Sequence, residues 1–195
     1  DGELLDKGNC ISVSAIGGFS FYQKNDFIGL NHYQHIRIKA DNKSLLKARG
    51  AFNDELPFGL EGKDAKLTLM GWEIVPDAYY DQIMDLKNNY GNPDIYLTEN
   101  GAAYPDLMEK NGEINDNDRI DYFKKYLSAV KKSIDNGAKV KSYFAWTFMD
   151  NFEWALGFEK RFGIVHVDFK TLKRKLRSFH LNLRLHISFY PNSFN

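Results

Sequence analysis

Apolar residues along the chain gather into short runs separated by two stripes of helical spacing. Asp26-Phe-Ile-Gly-Leu-Asn-His-Tyr33 is apolar at its centre and polar at its far end, and reads as a buried strand that ends in a site. Asp94-Ile-Tyr-Leu-Thr98 reads as a second buried strand, running into Glu99-Asn100-Gly101. Residues 140–148 form a third, rich in aromatics, and Ile164-Val-His-Val-Asp168 a short extra strand. Between the first two, residues 76–90 predict a helix. Pro76 suits its first turn, Tyr80, Ile83, Met84 and Leu86 fall near one face, and Gly91 stops it. The next helix is the clearest element. Ile120, Phe123, Leu127, Val130 and Ile134 recur at spacings of 3, 4, 3 and 4. Asp116 and Asp118 stand where a helix N-terminus favours acids, and Gly137 follows as a C-terminal stop. Residues 34–75 read as a long excursion, and a second passes through Pro105 and Gly112. Residues 1–25 carry only a weak alternation, Ile11-Ser-Val-Ser-Ala-Ile16, broken at Gly17-Gly18.

Strands that alternate with helices imply parallel pairing through crossovers, an α/β fold. Each predicted strand ends in polar or aromatic residues at its C-terminal edge, where (β/α)8 barrels and doubly wound sheets place their sites.

Composition narrows the class. The 195 residues are 43% hydrophobic and 27% charged, the balance of an ordinary globular chain rather than a disordered one. Cys10 is the one cysteine, so no internal disulfide forms. No apolar run approaches the ~18 residues needed to span a bilayer. No basic-then-apolar segment opens the chain, and the expectation is a cytoplasmic protein without membrane partners. The net charge of zero hides an asymmetry. After Asp168 come Lys170, Lys173, Arg174, Lys175, Arg177 and Arg184 with no acid among them, so residues 1–169 hold 20 bases against 26 acids. An acidic body is not the basic stripe of a nucleic-acid-binding surface, and the basic tail reads as a solvated face or an altered terminus.

Three groups of residues could carry chemistry. Glu99 ends an apolar strand, where a carboxylate is held on a rigid element as a nucleophile or general base; the alternative is a solvated acid at a strand end. Asn31, His32 and Tyr33 end the preceding strand. Alternation sends Asn31 and Tyr33 to one face and His32 to the other, and Tyr33 could donate a hydrogen bond to Glu99. Trp146, Glu153 and Trp154 form the third group. Indole faces pack on the C–H-rich faces of a pyranose, and a carboxylate accepts paired hydrogen bonds from neighbouring hydroxyls, within the apolar wall and few polar groups of a ligand site. His32 and His35 are too isolated to build a metal site, so no metal is expected. Neither a phosphate-binding glycine loop nor a Gly-x-Ser-x-Gly elbow occurs, and no cofactor is expected.

Leu97-Thr-Glu-Asn-Gly101 resembles the nucleophile motif of family 1 glycoside hydrolases, the β-glucosidase family. Asp26 to Tyr33 looks like its sixth barrel strand, and Met70-Gly-Trp-Glu-Ile-Val-Pro76 like its approach to the sixth helix. Asp118-Arg119 with Tyr122 and Leu127 resembles the seventh helix. Tyr143-Phe-Ala-Trp-Thr-Phe-Met-Asp-Asn-Phe-Glu-Trp154 with Lys160-Arg-Phe-Gly-Ile164 resembles the eighth strand and its loop. The five motifs keep the family's order over about residues 22–174. The resemblance implies the C-terminal part, about strands 6–8 with their helices, of a (β/α)8 TIM barrel, as a single partial domain over 1–195 with 1–21 and 175–195 atypical.

The resemblance also implies a retaining glycosidase with two carboxylates ~5–5.5 Å apart. It puts the nucleophile at Glu99, with Asn31 and Tyr33 in support, Trp146 as the sugar platform, Glu153 and Trp154 on the hydroxyls far from the anomeric centre, and Phe162 lining that subsite. Phospho-sugar members carry a serine pattern in this loop; here an acid, Glu153, would repel a phosphate. The implied substrate is therefore an unphosphorylated β-glucoside or β-galactoside. The family's acid/base lies in a Thr-x-Asn-Glu-Pro segment, and no Asn-Glu-Pro occurs in these residues. Asn53-Asp-Glu-Leu-Pro57 is not that motif. The length also falls short of the ~250 residues of a closed barrel. The chain alone is expected to be nearly inactive, and the alternative is a fragment that complements a missing N-terminal half or only binds sugar. Family-like residues lose register near Lys175, which predicts a reworked tail.

Overall fold

The computed structural model describes residues 11–13, 26–38, 65–108 and 112–177. Gly17-Gly18, the centre of the long excursion including Asn53-Asp-Glu-Leu-Pro57, and Arg184 lie outside the described residues. In chain order the elements are β1 (Ile11–Val13), β2 (Ile28–Asn31), β3 (Ile36–Ile38), α1 (Pro76–Asn89), β4 (Ile95–Asn100), β5 (Leu107–Met108), β6 (Ile114–Asn115), α2 (Asn117–Asp135), β7 (Val140–Ala145), β8 (Val165–Val167) and β9 (Arg174–Leu176). The frame is a three-stranded parallel sheet in the order β2-β4-β7, with α1 and α2 as its two crossovers. Three two-stranded antiparallel pairs accompany it: β1 with β3, β5 with β6, and β8 with β9.

One face of the sheet makes the core. Leu30, Ile95, Leu97 and Val140 pack against Tyr79, Ile83 and Leu86 of α1 and against Ile120, Phe123, Tyr126, Leu127 and Val130 of α2. Both helices cover this same face. The opposite face carries Gly29, Asn31, Thr98 and Phe144, all exposed. A doubly wound sheet would be covered on both sides, whereas helices on one side only suit a segment of barrel wall. Among the described residues no helix is long and apolar enough to cross a membrane.

The predicted helices and strands form, with differences in detail. The first strand is buried only on its core face. The α1 face turns through Tyr79 rather than Tyr80, whose ring instead meets the Lys132 ammonium at 4.2 Å. The third strand stops at Ala145, three residues short of the predicted end. Asp116 makes no capping hydrogen bond to the start of α2; buried, it pairs with Arg119 one turn along. The residues after Gly137, at φ +85°, turn back into β7 as expected for a glycine stop. The excursion after Gly101 contains the β5–β6 pair.

Candidate active site

The C-terminal edge of the sheet is shaped by one extra residue. Leu30 of β2 stands opposite Leu97 of β4, but the next residue, Asn31, stands opposite Glu99. On the other side Leu97 faces Tyr143 while Asn100 faces Ala145. Against both neighbours β4 therefore gains a residue over Thr98 and Glu99, which is a β-bulge. Strict alternation from Ile95 and Leu97 would send Glu99 into the helices and Asn100 to the open face. The bulge reverses this. Asn100 turns inward with no exposed surface, and the Glu99 carboxylate meets Tyr33, whose hydroxyl donates to Glu99 Oε2 at 2.6 Å.

The end of β2 supplies the other side. Tyr33 and His32 part to opposite faces, as alternation predicts. His32 is buried against α1, stacked on Tyr79 at 4.4 Å and 2.7 Å from Gln82 Oε1 through Nδ1. Burial lowers its pKa to about 4, against the pull of the Gln82 hydrogen bond and with a smaller push from His35. Tyr33 is held on two sides, by Trp72 at 5.4 Å and edge-on by Phe162 at 6.3 Å. Burial pushes its pKa well up, and the Glu99 hydrogen bond and the charges of Glu99 and Glu153 push it further. Asn31 takes a different partner: its Oδ1 accepts from Thr98 Oγ1 at 2.6 Å.

Asn100 ties three elements together from inside the core. Its Nδ2 donates to the His32 carbonyl at 2.8 Å and to Tyr122 Oη of α2 at 3.0 Å, while its Oδ1 accepts from Tyr143 Oη of β7 at 2.6 Å. Its carbonyl accepts the Trp146 N–H at 2.9 Å. Gly101 follows because nothing larger fits: a Cβ there would overlap the Trp146 carbonyl oxygen. Glu-Asn-Gly is thus a carboxylate, a core anchor and a close backbone approach in succession.

Trp146 follows β7 directly, half-buried, and begins the loop that carries Glu153 and Trp154. This loop is held by Asp150. Its buried carboxylate accepts from the Gly163 and Val167 N–H groups, from Arg161 Nη1 at 2.8 Å, and from both terminal nitrogens of Arg177 at 3.1 and 3.0 Å. Burial alone would raise the Asp150 pKa, but the Arg177 hydrogen bond and charge, with hydrogen bonds from the Val167 N–H and from Arg161, hold it below the usual carboxylate range. Arg177 also donates to Asp106 and is wholly buried. Its place in the presumed solvated tail is therefore corrected: a base beyond Lys175 is a core residue, retained because two carboxylates neutralise it. Asp106, Asp150 and His166 bring ligand-type atoms within 4.8 Å of one another, and the positive charge among them comes from Arg161 and Arg177.

The predicted site residues therefore divide. Tyr33 and Glu99 are in direct contact, and Glu153 is near enough to act on Tyr33 electrostatically. Asn151 Nδ2 lies 3.4 Å from Glu153 Oε2. Trp154 projects with 73% of its surface exposed. Phe162, expected to line the sugar subsite, is only 1% exposed; its ring meets Tyr33 at 6.3 Å and Trp72 at 6.2 Å.

Residues 6–181 match the sequence profile of glycosyl hydrolase family 1. The chain belongs to this family. It is 42% identical over 152 residues to β-glucosidase A of Thermotoga maritima, covering 78% of this chain and 32% of that protein. It is 43% identical over 155 residues to β-glucosidase A of Acetivibrio thermocellus, covering 80% and 33%. The solved family 1 β-glucosidase of Thermotoga maritima superposes with a TM-score of 0.67 at 34% identity, over 85% of this chain and 35% of that one. The chain spans about a third of the length of the curated relatives it matches. The solved neighbours are (β/α)8 barrels of family 1, which accords with helices on one face of a parallel sheet. The family match also reaches past both ends of the stretch 22–174 on which the motif resemblance rests.

In this family 1 chain Asn100, Tyr143 and the Asp150–Arg177 pair hold the site together without standing among the residues the sequence marks as candidates. Asn100 had a signal, since it stands between the candidate carboxylate and a glycine. Asp150 and Arg177 had none, because their partnership links residues that no local pattern connects.

Proposed function

We propose that this chain carries the nucleophile side of a retaining β-glycosidase site, built from about strands 6–8 of the barrel. Glu99 is the nucleophile that attacks the anomeric carbon. Tyr33 orients its carboxylate, and Asn31 fixes the neighbouring strand end through Thr98. The supporting observation is the 2.6 Å hydrogen bond from Tyr33 to Glu99 at the C-terminal edge of a parallel sheet. That bond engages one carboxylate oxygen, and in this reading the other, Oε1, is the one that attacks the sugar. Trp146 provides the platform under the pyranose, Glu153 and Trp154 take the remote hydroxyls, and Phe162 lines the same subsite through its contact with Tyr33.

The substrate is an unphosphorylated β-glucoside or β-galactoside, or a related oligosaccharide. The acidic Glu153 supports this, as do relatives whose names are β-glucosidase and a Thermotoga maritima neighbour solved with deoxynojirimycin and with a galacto-hydroximolactam. Retaining hydrolysis needs a second carboxylate as acid and base. It comes from a part of the barrel outside these 195 residues, since no Asn-Glu-Pro occurs among them. Loss of general acid catalysis costs on the order of 10²–10⁴-fold, so the chain alone is nearly inactive on alkyl glucosides.

A second reading draws on the open sheet face, where Phe27 and Phe144 are 57% and 55% exposed. In that reading the chain is a non-catalytic fragment: it completes a barrel whose chemistry lies in the other portion, or binds sugar without cleaving it. One assay separates the two. The chain is mixed with the N-terminal two-thirds of the Thermotoga maritima relative and given an aryl β-glucoside. Hydrolysis that appears on mixing and disappears with Glu99→Gln supports the enzymatic reading; hydrolysis that survives Glu99→Gln, or ordinary turnover of alkyl glucosides by the chain alone, contradicts it.

A further inference from the structure

We infer that Asn100 is a positioning residue whose inward anchorage creates the bulge that turns Glu99 toward Tyr33. The inference rests on the reading of Glu99 as nucleophile, and it names the part of the fold that aims it.

Three observations carry it. First, the extra residue on β4 lies between Leu97, which faces the helices, and Asn100, which also faces them. Two core-facing residues in one strand are normally separated by an even number of positions. Here the separation is three, so the chain must accommodate an odd residue, and Glu99 is on the arc that does so. Second, the anchorage is complete. Asn100 is wholly buried, and its amide uses both its donor and its acceptor on three different elements: the end of β2, α2 and β7. A buried amide left unpaired is costly, so register in which Asn100 faced the open side would leave Tyr143 Oη without its acceptor and the His32 carbonyl without its donor. Third, the same residue fixes Trp146 through the backbone, because its carbonyl accepts the Trp146 N–H. The nucleophile and the sugar platform thus share one buried support. Asn100 itself faces away from the substrate side and takes no chemical step.

The test uses the full chain with tyrosine labelled at ring carbon Cζ with ¹³C, the Tyr33 resonance being assigned by Tyr33→Phe. In the native chain Glu99→Gln shifts the Tyr33 resonance, because it changes the acceptor of the 2.6 Å hydrogen bond. In Asn100→Ala the same Glu99→Gln change is expected to leave the Tyr33 resonance in place. Tyr143→Phe removes one hydroxyl from the anchor and is expected to weaken the coupling; it decides the matter where Asn100→Ala fails to fold. Labelling of Glu99 by a 2-fluoroglucoside is expected to slow on the order of 10²-fold in Asn100→Ala, the cost of a displacement near 1 Å. Glu99→Gln shifting Tyr33 equally in all three backgrounds would overturn the inference. A native chain in which Glu99 never labels would count against the nucleophile reading, and the resonance comparison would still decide the role of Asn100.

Discussion

Tyr33 Oη, two residues past the end of β2, and Glu99 Oε2 on β4 lie 2.6 Å apart, although 66 residues separate them in the chain. A hydrogen bond from a neutral donor to a charged acceptor contributes about 1.5–3 kcal/mol. Tyr33→Phe keeps the ring between Trp72 and Phe162 and removes only this bond. Glu99 labelling by an activated 2-fluoroglucoside should slow on the order of 10- to 10²-fold, with the fold unchanged by circular dichroism. Equal labelling rates would mean that Tyr33 does not orient Glu99.

Gly101 offers a purely steric test. A Cβ at this position meets the Trp146 carbonyl oxygen and carbon, both backbone atoms that cannot rotate away. Gly101→Ala should push β4 and β7 apart where they close the site and destabilise the chain by about 1–3 kcal/mol, in the range for overpacking. Tryptophan fluorescence should report a changed Trp146 environment. A variant with native stability and native emission would refute the close approach.

The Asp150–Arg177 pair should be a strong determinant of stability. Removing Asp150 leaves Arg177 with Asp106 alone of its two hydrogen-bonded carboxylates, and breaking such a buried pair costs about 3–5 kcal/mol. Asp150→Asn should therefore lower the unfolding free energy by about that amount, measured by urea titration. It should also release the 151–163 loop to proteolysis, since Asp150 holds the Gly163 and Val167 N–H groups. A loss under ~1 kcal/mol would be that of a surface ion pair.

Acid should weaken the fold through His32. Its pKa is lowered to about 4 in the folded chain from an ordinary 6.5. The unfolded chain therefore binds the proton first, and stability present above pH 6.5 is lost as the pH falls toward 4, by about 3 kcal/mol at most. Asp116 works in the opposite sense, since burial raises it to about 6 against the pull of Arg119 and Arg177. The comparison is therefore with His32→Gln, in which the Asp116 contribution is kept. Melting temperatures measured from pH 7 to pH 4.5 should fall less steeply in the variant, and parallel slopes would exclude His32 as the cause.

Much of this was legible along the chain. The stripe from Ile120 to Ile134 and the apolar run before Glu99 each state a local period, and both elements form where the periods put them. The parting of His32 from Tyr33 follows from alternation alone. What escaped is non-local. The bulge at Glu99 depends on where Asn100 finds buried partners, and those stand 22 residues away on α2 and 43 away on β7. Tyr122 and Tyr126 face the core although their hydroxyls are polar, because Tyr122 meets Asn100 and Tyr126 accepts the Val75 N–H. Arg177 looked like part of a solvated run of bases, and only the fold reveals the two carboxylates that hold it inside.

Mass spectrometry of a trapped glycosyl-enzyme tests most directly whether Glu99 is the nucleophile. The chain, with and without the complementing barrel portion, is incubated with 2-deoxy-2-fluoro-β-glucosyl fluoride, digested and sequenced. The expected result is a fluoroglucosyl adduct on Glu99 that Glu99→Gln abolishes. An adduct on another carboxylate, an adduct that survives Glu99→Gln, or a complemented protein that hydrolyses glucosides without ever labelling Glu99 would contradict it.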